Sequence, residues 1–167
     1  GLRPASVLMP IVLRAGEWTM LFTRRTEHLR SHAGQISFPG GSAEPGDAGP
    51  EATALRESQE EIGLEPASVE LVGRLGEYCT RTGFRITPVV GVLRPPLALR
   101  PDAEEVEETF EVPLAFLLDV RNYQRHSRLF EGELRSFFAI PYGDYYIWGA
   151  TAGMLVNLHR QLARTQG

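Results

Sequence analysis

The chain has 167 residues, of which 43% are hydrophobic and 23% charged, and its net charge is −4. This acidic balance argues against a surface that wraps nucleic acid, which would need a basic stripe, and the longest apolar run (7–13) is far too short to cross a membrane. A single cysteine, Cys79, excludes an internal disulfide and favours a reducing, cytoplasmic compartment. We expect one domain over residues 1–167, with an N-terminus that has been trimmed because it begins at Gly1 rather than Met.

The first half of the chain predicts a hairpin, a long loop and a helix. Residues 5–13 and 18–23 are rich in β-branched, aliphatic and aromatic residues and form the hairpin. Residues 24–50 are rich in Gly, Pro, Ser and charge, and a loop of this length within a compact domain is usually functional. Residues 50–62 form the helix, because Pro50 suits a first turn and Gly63 suits a C-terminal cap.

The second half mixes strands with helices. Strands are predicted over 69–78, 84–93 and 133–140, a short helix over 113–120 and a terminal helix over 147–164. Residues 94–101 are a turn-rich connector, and 102–108 are an acidic loop. This order indicates an α/β fold with a mixed sheet.

The strongest local signal is a set of glutamates on the predicted helix. Glu57, Glu60 and Glu61 are related by i, i+3 and i+4, so their carboxylates emerge on one face. Clustered carboxylates are the hard oxygen ligands that Mg²⁺ or Mn²⁺ requires. The alternative is a solvated polar face, since Glu is common on surfaces.

A glycine-rich turn precedes this helix. Gly40 and Gly41 follow Phe38-Pro39, and paired glycines let backbone N–H groups approach a phosphate closely. Alone such a turn is unspecific, but a turn of this kind that leads into a helix with three carboxylates is much rarer. The combination predicts a site for a metal and a phosphate.

These residues resemble the box of the Nudix hydrolases. The matching positions are Gly41, Arg56-Glu57, Glu60-Glu61 and Gly63-Leu64. Asp47 replaces the first glutamate of the box, eight residues rather than seven separate it from Arg56, and Ser58 replaces an apolar residue. We expect Asp47 to order the loop or lead the helix. The resemblance implies an α/β/α sandwich with a mixed β-sheet and a metal-dependent hydrolase of nucleoside diphosphate linkages.

A second resemblance narrows the substrate. The segment Arg30-x-x-x-Gly34-x-x-x-Phe38-Pro39-Gly40-Gly41, preceded by Leu21-Phe22-Thr23, looks like the signature of coenzyme A diphosphatases. The stretches around 83–91, 105–108 and 147–152 also look like that branch. This resemblance implies cleavage of coenzyme A or its derivatives into phosphopantetheine and adenosine 3′,5′-bisphosphate.

The resemblance also implies a role for individual residues. Glu57 and Glu61 would be the main ligands of Mg²⁺ or Mn²⁺, with Glu60 contributing directly or through water, and Arg56 would hold one carboxylate. The base that deprotonates water comes either from the box helix or from a distant loop, where the candidates are Glu105 and Glu108. The substrate's phosphates would meet three arginines and the two glycines, namely Arg24, Arg25, Arg30, Gly40 and Gly41.

Several alternatives stay open at this point. The same chemistry could act on NADH, a nucleotide sugar or a dinucleoside polyphosphate, and a Nudix domain could sense a nucleotide without turnover. A third alternative is an unrelated interaction module whose helix carries surface glutamates. We expect a small nucleotide diphosphate as partner, with neither nucleic acid nor membrane, and leave a homodimer open. Four aromatic residues are assigned to packing in preference to a pocket wall: Tyr142, Tyr145, Tyr146 and Trp148.

Overall fold

Eleven strands and three α-helices alternate along the computed structural model, which describes residues 1–28 and 34–166. The strands are β1 (Arg3–Val12), β2 (Thr19–Arg25), β3 (Ile36–Ser37), β4 (Gly40–Ser42), β5 (Val69–Arg74), β6 (Tyr78–Cys79), β7 (Phe84–Leu93), β8 (Val106–Pro113), β9 (Gln124–Phe130), β10 (Glu133–Tyr142) and β11 (Tyr145–Trp148). The helices are α1 (Pro50–Ile62), α2 (Leu114–Leu117) and α3 (Ala150–Gln166).

The larger sheet is mixed, as the sequence predicted. Its eight strands include the path β3-β2-β1-β7-β5, in which β1 and β7 run parallel and the other pairs are antiparallel. β4 also pairs with β1, β6 with β7 and β8 with β2. A second, antiparallel sheet has the order β11-β10-β9.

Alternation along β1 separates two apolar cores. Leu8 and Val12 point to the α1 side, where they pack with Ala54 and Ile62 of the helix. Val7 and Met9 point to the opposite side, where they pack with residues of β10, β11 and α3 such as Leu155. Because side chains alternate across a strand, one sheet is covered by a helix on each face, and the predicted α/β/α sandwich is confirmed.

Most of the predicted elements are present, and the differences have physical causes. The hairpin and the helix over 50–62 are confirmed. Residues 106–113, expected partly as an acidic loop, form β8. Val106 and Val112 are buried in the two separate cores, and the charged residues between them conceal the strand pattern. The terminal helix starts at Ala150 rather than at 147, since Gly149 has a φ of +68° and ends β11.

Short or exposed strands were missed. β3 and β4 lie within the predicted loop 24–50, and the predicted strand 69–78 is divided into β5 and β6. Every residue of β9 is exposed, so it lacks the buried face from which a strand is recognised. None of the helices formed by the described residues has both the length and the apolar composition needed to cross a membrane.

Candidate metal and substrate site

The glutamate-bearing helix α1 is anchored by its apolar side. Ala54 and Ile62 are fully buried, and Gly63 ends the helix with a φ of +69° while its N–H donates to the carbonyl of Gln59. Ser58, which departs from the Nudix box, is also fully buried, and its hydroxyl donates to the carbonyl of Ala54 at 2.7 Å. The serine therefore replaces an apolar residue without leaving an unpaired polar group.

Glu61 is a buried carboxyl aimed at the glycine turn. The residue is only 5% exposed, and its Oε1 accepts a hydrogen bond of 2.8 Å from the N–H of Gly40. Burial raises the pKa of Glu61 to about 8, an effect that Gly40 opposes and that the neighbouring charges of Glu57 and Glu105 reinforce. A buried carboxylate beside two others is stable as an anion only when a cation neutralises it.

The two glycines allow the turn to lie directly against the helix. A Cβ at Gly41 would fall 2.6 Å from the carboxyl carbon of Glu57, and a Cβ at Gly40 would collide with the carbonyl of Ser6 on β1. Any larger residue would displace either the carboxylate or the strand. The sequence therefore needs glycine here for close approach.

Arg56 links the loop to the carboxylates. Its Nε and Nη2 each donate to the carboxylate of Asp47 at 3.0 Å, and Nη2 also donates to the carbonyl of Ser42 at 3.0 Å. These bonds hold the pKa of Asp47 well below its usual range. Asp47 further accepts from the N–H of Glu44 and the hydroxyl of Thr53. This geometry fits the loop-ordering role expected for Asp47.

Glu60 lies at the outer side of the cluster. Its side chain is 56% exposed, compared with 18% for Glu57, and both carboxylates lie within 3.3 Å of Nη1 of Arg56. The three side chains are thus gathered on one side of α1 rather than splayed apart. Across residues 1–28 and 34–166, however, no three acidic, His or Cys side chains already converge as a finished metal cage.

The two distant base candidates occupy different positions. Glu105 immediately precedes β8, and its charge, like that of Arg56 and Glu60, acts on the Glu57 carboxyl, whose pKa is raised chiefly by burial. Glu108 lies within β8, where it accepts from Nε of Arg24 at 3.0 Å and from the hydroxyl of Tyr145 at 3.2 Å. In the part of the chain that the structure describes, no donor hydrogen-bonds the Glu105 carboxylate, so Glu105 is the freer of the two.

The arginines expected to meet phosphates are divided between two faces of β2. Arg25 lies close enough to Glu61 to lower the pKa of that carboxyl, and its buried Nε has no hydrogen-bond partner among the described residues. Arg24 points to the other face and pairs with Glu108. Arg30 lies outside the described residues.

An open groove of about 760 Å³ adjoins Arg24. It is lined by Arg24, Glu108 and Asp144 together with four aromatic residues: Tyr142, Tyr145, Tyr146 and Trp148. The ring of Tyr145 is stacked on Phe110 with centroids 3.6 Å apart. Packing was the preferred prediction for these aromatics, and Tyr142 and Tyr145 do pack against the core. All four also line the groove, because the missed strand β11 carries three of them there.

The donor set suits a hard divalent cation. Oxygen ligands are supplied by three carboxylates, and burial is the main cause that raises the pKa of two of them, Glu57 and Glu61. The absence of a side chain at Gly41 leaves space at Glu57. Hard cations of this kind are bound by carboxylate oxygens and relieve like-charge repulsion. The residues present therefore fit a Mg²⁺ or Mn²⁺ ion.

Comparison with known proteins identifies the family. The model of the NUDIX domain matches residues 2–131. The chain belongs to the Nudix hydrolase family. The protein named "Uncharacterized Nudix hydrolase NudL" from Shigella flexneri is 40% identical over 163 residues, covering 98% of this chain and 84% of that protein. The protein of the same name from Escherichia coli K12 is 41% identical over 160 residues, covering 96% and 83%.

Solved Nudix structures share the fold. RenU from Mycobacterium smegmatis has a TM-score of 0.61 at 18% identity, with 98% of this chain and 87% of that chain covered. The NUDIX domain of Shewanella oneidensis NrtR, solved with ADP ribose, has a TM-score of 0.59 at 15% identity, covering 97% and 89%. The Caenorhabditis elegans Ap4A hydrolase has a TM-score of 0.57 at 17% identity, covering 66% and 80%.

Membership of the family establishes the general class of reaction. This chain is a Nudix pyrophosphohydrolase that acts on a nucleotide-linked substrate, and Nudix hydrolases generally use divalent metal ions. The box residues recognised in the sequence, Arg56 to Glu61, are the ones that the fold gathers beside the glycine turn. The groove residues had only a weak signal, a cluster of aromatics before a helix.

Proposed function

We propose that the protein is a coenzyme A diphosphatase, which cleaves coenzyme A or its derivatives into phosphopantetheine and adenosine 3′,5′-bisphosphate. The observation that carries the proposal is the contact between the Phe38-Pro39-Gly40-Gly41 turn and the glutamates of α1, through Gly40 to Glu61 and Gly41 to Glu57. This turn is the end of the segment that looks like the coenzyme A signature.

The metal would be held by the helix. Glu57 and Glu61 are its proposed main ligands, Glu60 contributes from the outer side, and Arg56 orients Glu57 through its bond to Oε1. When bound, Mg²⁺ or Mn²⁺ neutralises diphosphate charge and lowers the pKa of a coordinated water. Burial keeps bulk water from Glu61, and the guanidinium of Arg56 holds the carboxylate of Glu57.

Glu105 is the proposed base. The charge of its carboxylate raises the pKa of both Glu57 and Glu61, and no donor among the described residues engages it. Its backbone is fixed, because its carbonyl accepts from the N–H of Thr26 at 3.1 Å. Glu108 has both oxygens occupied by Arg24 and Tyr145, and is better suited to hold the groove than to accept a proton.

The substrate would lie across the end of β2. Arg25 and Arg30 are the proposed phosphate contacts beside the glycine turn, where the N–H of Gly40 is already used by Glu61 and Gly41 leaves space for the phosphate. Arg24 meets the nucleoside part in the groove. The groove's volume falls within the range of small-molecule sites, and its aromatic walls suit the flat face of a nucleobase. The diphosphate between the two halves would then reach the carboxylates.

Three broader expectations also stay proposals. We propose that a single Nudix domain spans residues 1–167 and that it acts in the cytoplasm, for which the free thiol of Cys79 is the support. A homodimer stays an open alternative to a monomer. NADH, a nucleotide sugar and a dinucleoside polyphosphate are the alternative substrates, and a non-catalytic nucleotide sensor is the alternative function.

A screen of diphosphate compounds tests the proposal. Coenzyme A, NADH, ADP ribose, a nucleotide sugar and Ap4A would each be incubated with Mg²⁺ and with Mn²⁺, and the products would be identified by mass. We expect coenzyme A to be cleaved fastest, to phosphopantetheine and adenosine 3′,5′-bisphosphate, and Glu61→Gln to lower turnover by ~10²–10³-fold, as for loss of a key electrostatic group. Faster cleavage of another compound would replace coenzyme A as the substrate. No cleavage of any compound, with tight nucleotide binding, would favour the sensor.

A further inference from the structure

Two arginines face each other on the outer side of the small sheet. Arg128 of β9 and Arg135 of β10 are direct cross-strand partners in the antiparallel register. Like charges that lie directly opposite destabilise a strand pair. Such a pair is expected either to be neutralised by nearby acids or to bind an anion.

Protein acids neutralise this pair only in part. Arg135 contacts the exposed Glu133 at 3.2 Å. Among the residues that the structure describes, however, the buried Nε of Arg135 has no hydrogen-bond partner and Arg128 forms no ion pair. Both guanidinium groups instead lie over aromatic rings. Arg128 is 5.6 Å from the centroid of Trp148, and Arg135 is 5.6 Å from that of Phe130. Cation–π contacts orient a guanidinium without cancelling its charge.

The arginine pair adjoins the groove through one residue. Trp148 lines the groove and also supports Arg128. The groove itself does not favour an anion. Among the described residues, the only cation that lines it is Arg24, which is paired with Glu108, and Asp144 adds a further negative charge. Trp148 therefore separates two regions of different charge. The groove on one side is neutral or acidic, and Arg128 and Arg135 on the other side carry positive charge that is only partly neutralised.

We propose that Arg128 and Arg135 bind a phosphate monoester carried on the sugar of the nucleotide whose base occupies the groove. The inference rests on the proposed function, because coenzyme A is an adenine nucleotide with a phosphate on its ribose 3′-oxygen. With its base in the groove, it would present that phosphate to the arginines. A guanidinium fork matches the oxygens of a phosphate dianion. The pair thus sets the preference for coenzyme A over its 3′-dephospho form.

A binding experiment tests this site without turnover. The affinities of adenosine 3′,5′-bisphosphate, AMP and inorganic phosphate would be measured by calorimetry for the full chain and for Arg128→Gln. We expect the substitution to weaken bisphosphate binding by about 10–100-fold, the effect of losing a charge-assisted hydrogen bond, and to leave AMP binding unchanged. Arg125→Gln is the matched control, since Arg125 is an exposed arginine of the same strand on the opposite face, over Phe138.

Turnover gives a second readout. We expect the ratio of kcat/KM for coenzyme A to that for 3′-dephospho-coenzyme A to fall by about 10-fold or more in Arg128→Gln and in Arg135→Gln, and to be unchanged in Arg125→Gln. The proposal would be overturned if the kcat/KM ratio were unchanged in the first two variants or fell equally in Arg125→Gln. It would also be overturned if inorganic phosphate competed with the substrate as strongly as adenosine 3′,5′-bisphosphate does. If neither compound is cleaved, the proposed function fails, while the calorimetry still reports on the arginine site.

Discussion

At the scale of single residues, the structure separates glutamates that the sequence treats alike. Glu105 and Glu108 are three positions apart, yet one lies beside the Glu57 and Glu61 carboxyls and the other is held by Arg24 and Tyr145 on the groove side. The pairing of β2 with β8 shifts register here: Val106 lies opposite Arg25 and is buried on the α1 side, whereas Glu108 lies opposite Arg24 on the groove side. Proximity to the carboxylate cluster therefore distinguishes a candidate base from a groove residue.

Replacing each glutamate by glutamine tests this distinction. We expect Glu105→Gln to lower kcat by about 10²-fold or more, the usual contribution of a general base. Glu108→Gln retains an oxygen for Arg24, so kcat should change by less than about 10-fold. Steady-state kinetics of the two variants measures both effects. The opposite pattern would assign the base to Glu108.

At the scale of elements, the site depends on how closely β4 approaches α1. The strand is held on β1 by the pairs Ser6 to Gly41 and Val7 to Gly40, and the helix is held by its buried Ala54 and Ile62. The loop between them is ordered by the Asp47–Arg56 pair. Since both elements are anchored independently, the space between Gly41 and Glu57 is fixed.

A methyl group at Gly41 should therefore damage metal binding more than folding. The added Cβ would fall 2.6 Å from the carboxyl carbon of Glu57, so the carboxylate has to move. We expect Gly41→Ala to weaken Mn²⁺ binding by about 10-fold or more, on the scale of losing a residue that orients a metal ligand. Gly46→Ala is the matched control, because a Cβ at this position in the same loop meets nothing within 4 Å. Titration with Mn²⁺ followed by electron paramagnetic resonance gives both affinities, and equal affinity in the two variants would contradict the fixed geometry.

At the scale of the whole molecule, the sequence predicts what depends on local pattern. The helix 50–62 is predicted to the residue because Pro50 and Gly63 mark its ends, and the box positions follow from helical spacing. The groove was missed because it needs β11 and β8 from distant parts of the chain, and neither has a clear period of two. The pairing of Glu108 with Tyr145, 37 positions away, likewise depends on how the two sheets pack and has no local signal.

The stability of the whole fold is expected to depend on pH and on the metal through Glu61. The pKa of Glu61 is raised to about 8 in the fold, whereas an unfolded glutamate titrates near about 4.3. Between these values the folded chain binds more protons than the unfolded chain, so without metal the free energy of unfolding falls as pH rises, by at most about 1.4 kcal/mol per pH unit. Mg²⁺ binds the ionised carboxyl and the folded state alone, and it should offset this loss.

We therefore expect Mg²⁺ to raise Tm at both about pH 6 and about pH 8.5, with the larger increase at the higher pH, where no proton has to be displaced from Glu61. Differential scanning calorimetry with and without millimolar Mg²⁺ measures the two increments. Glu61→Gln should abolish the difference between them, while Glu17→Gln, a substitution in the exposed turn between β1 and β2, should keep it. An increment that is the same at both pH values in the unmodified chain would show that the metal does not bind through the buried carboxyl of Glu61.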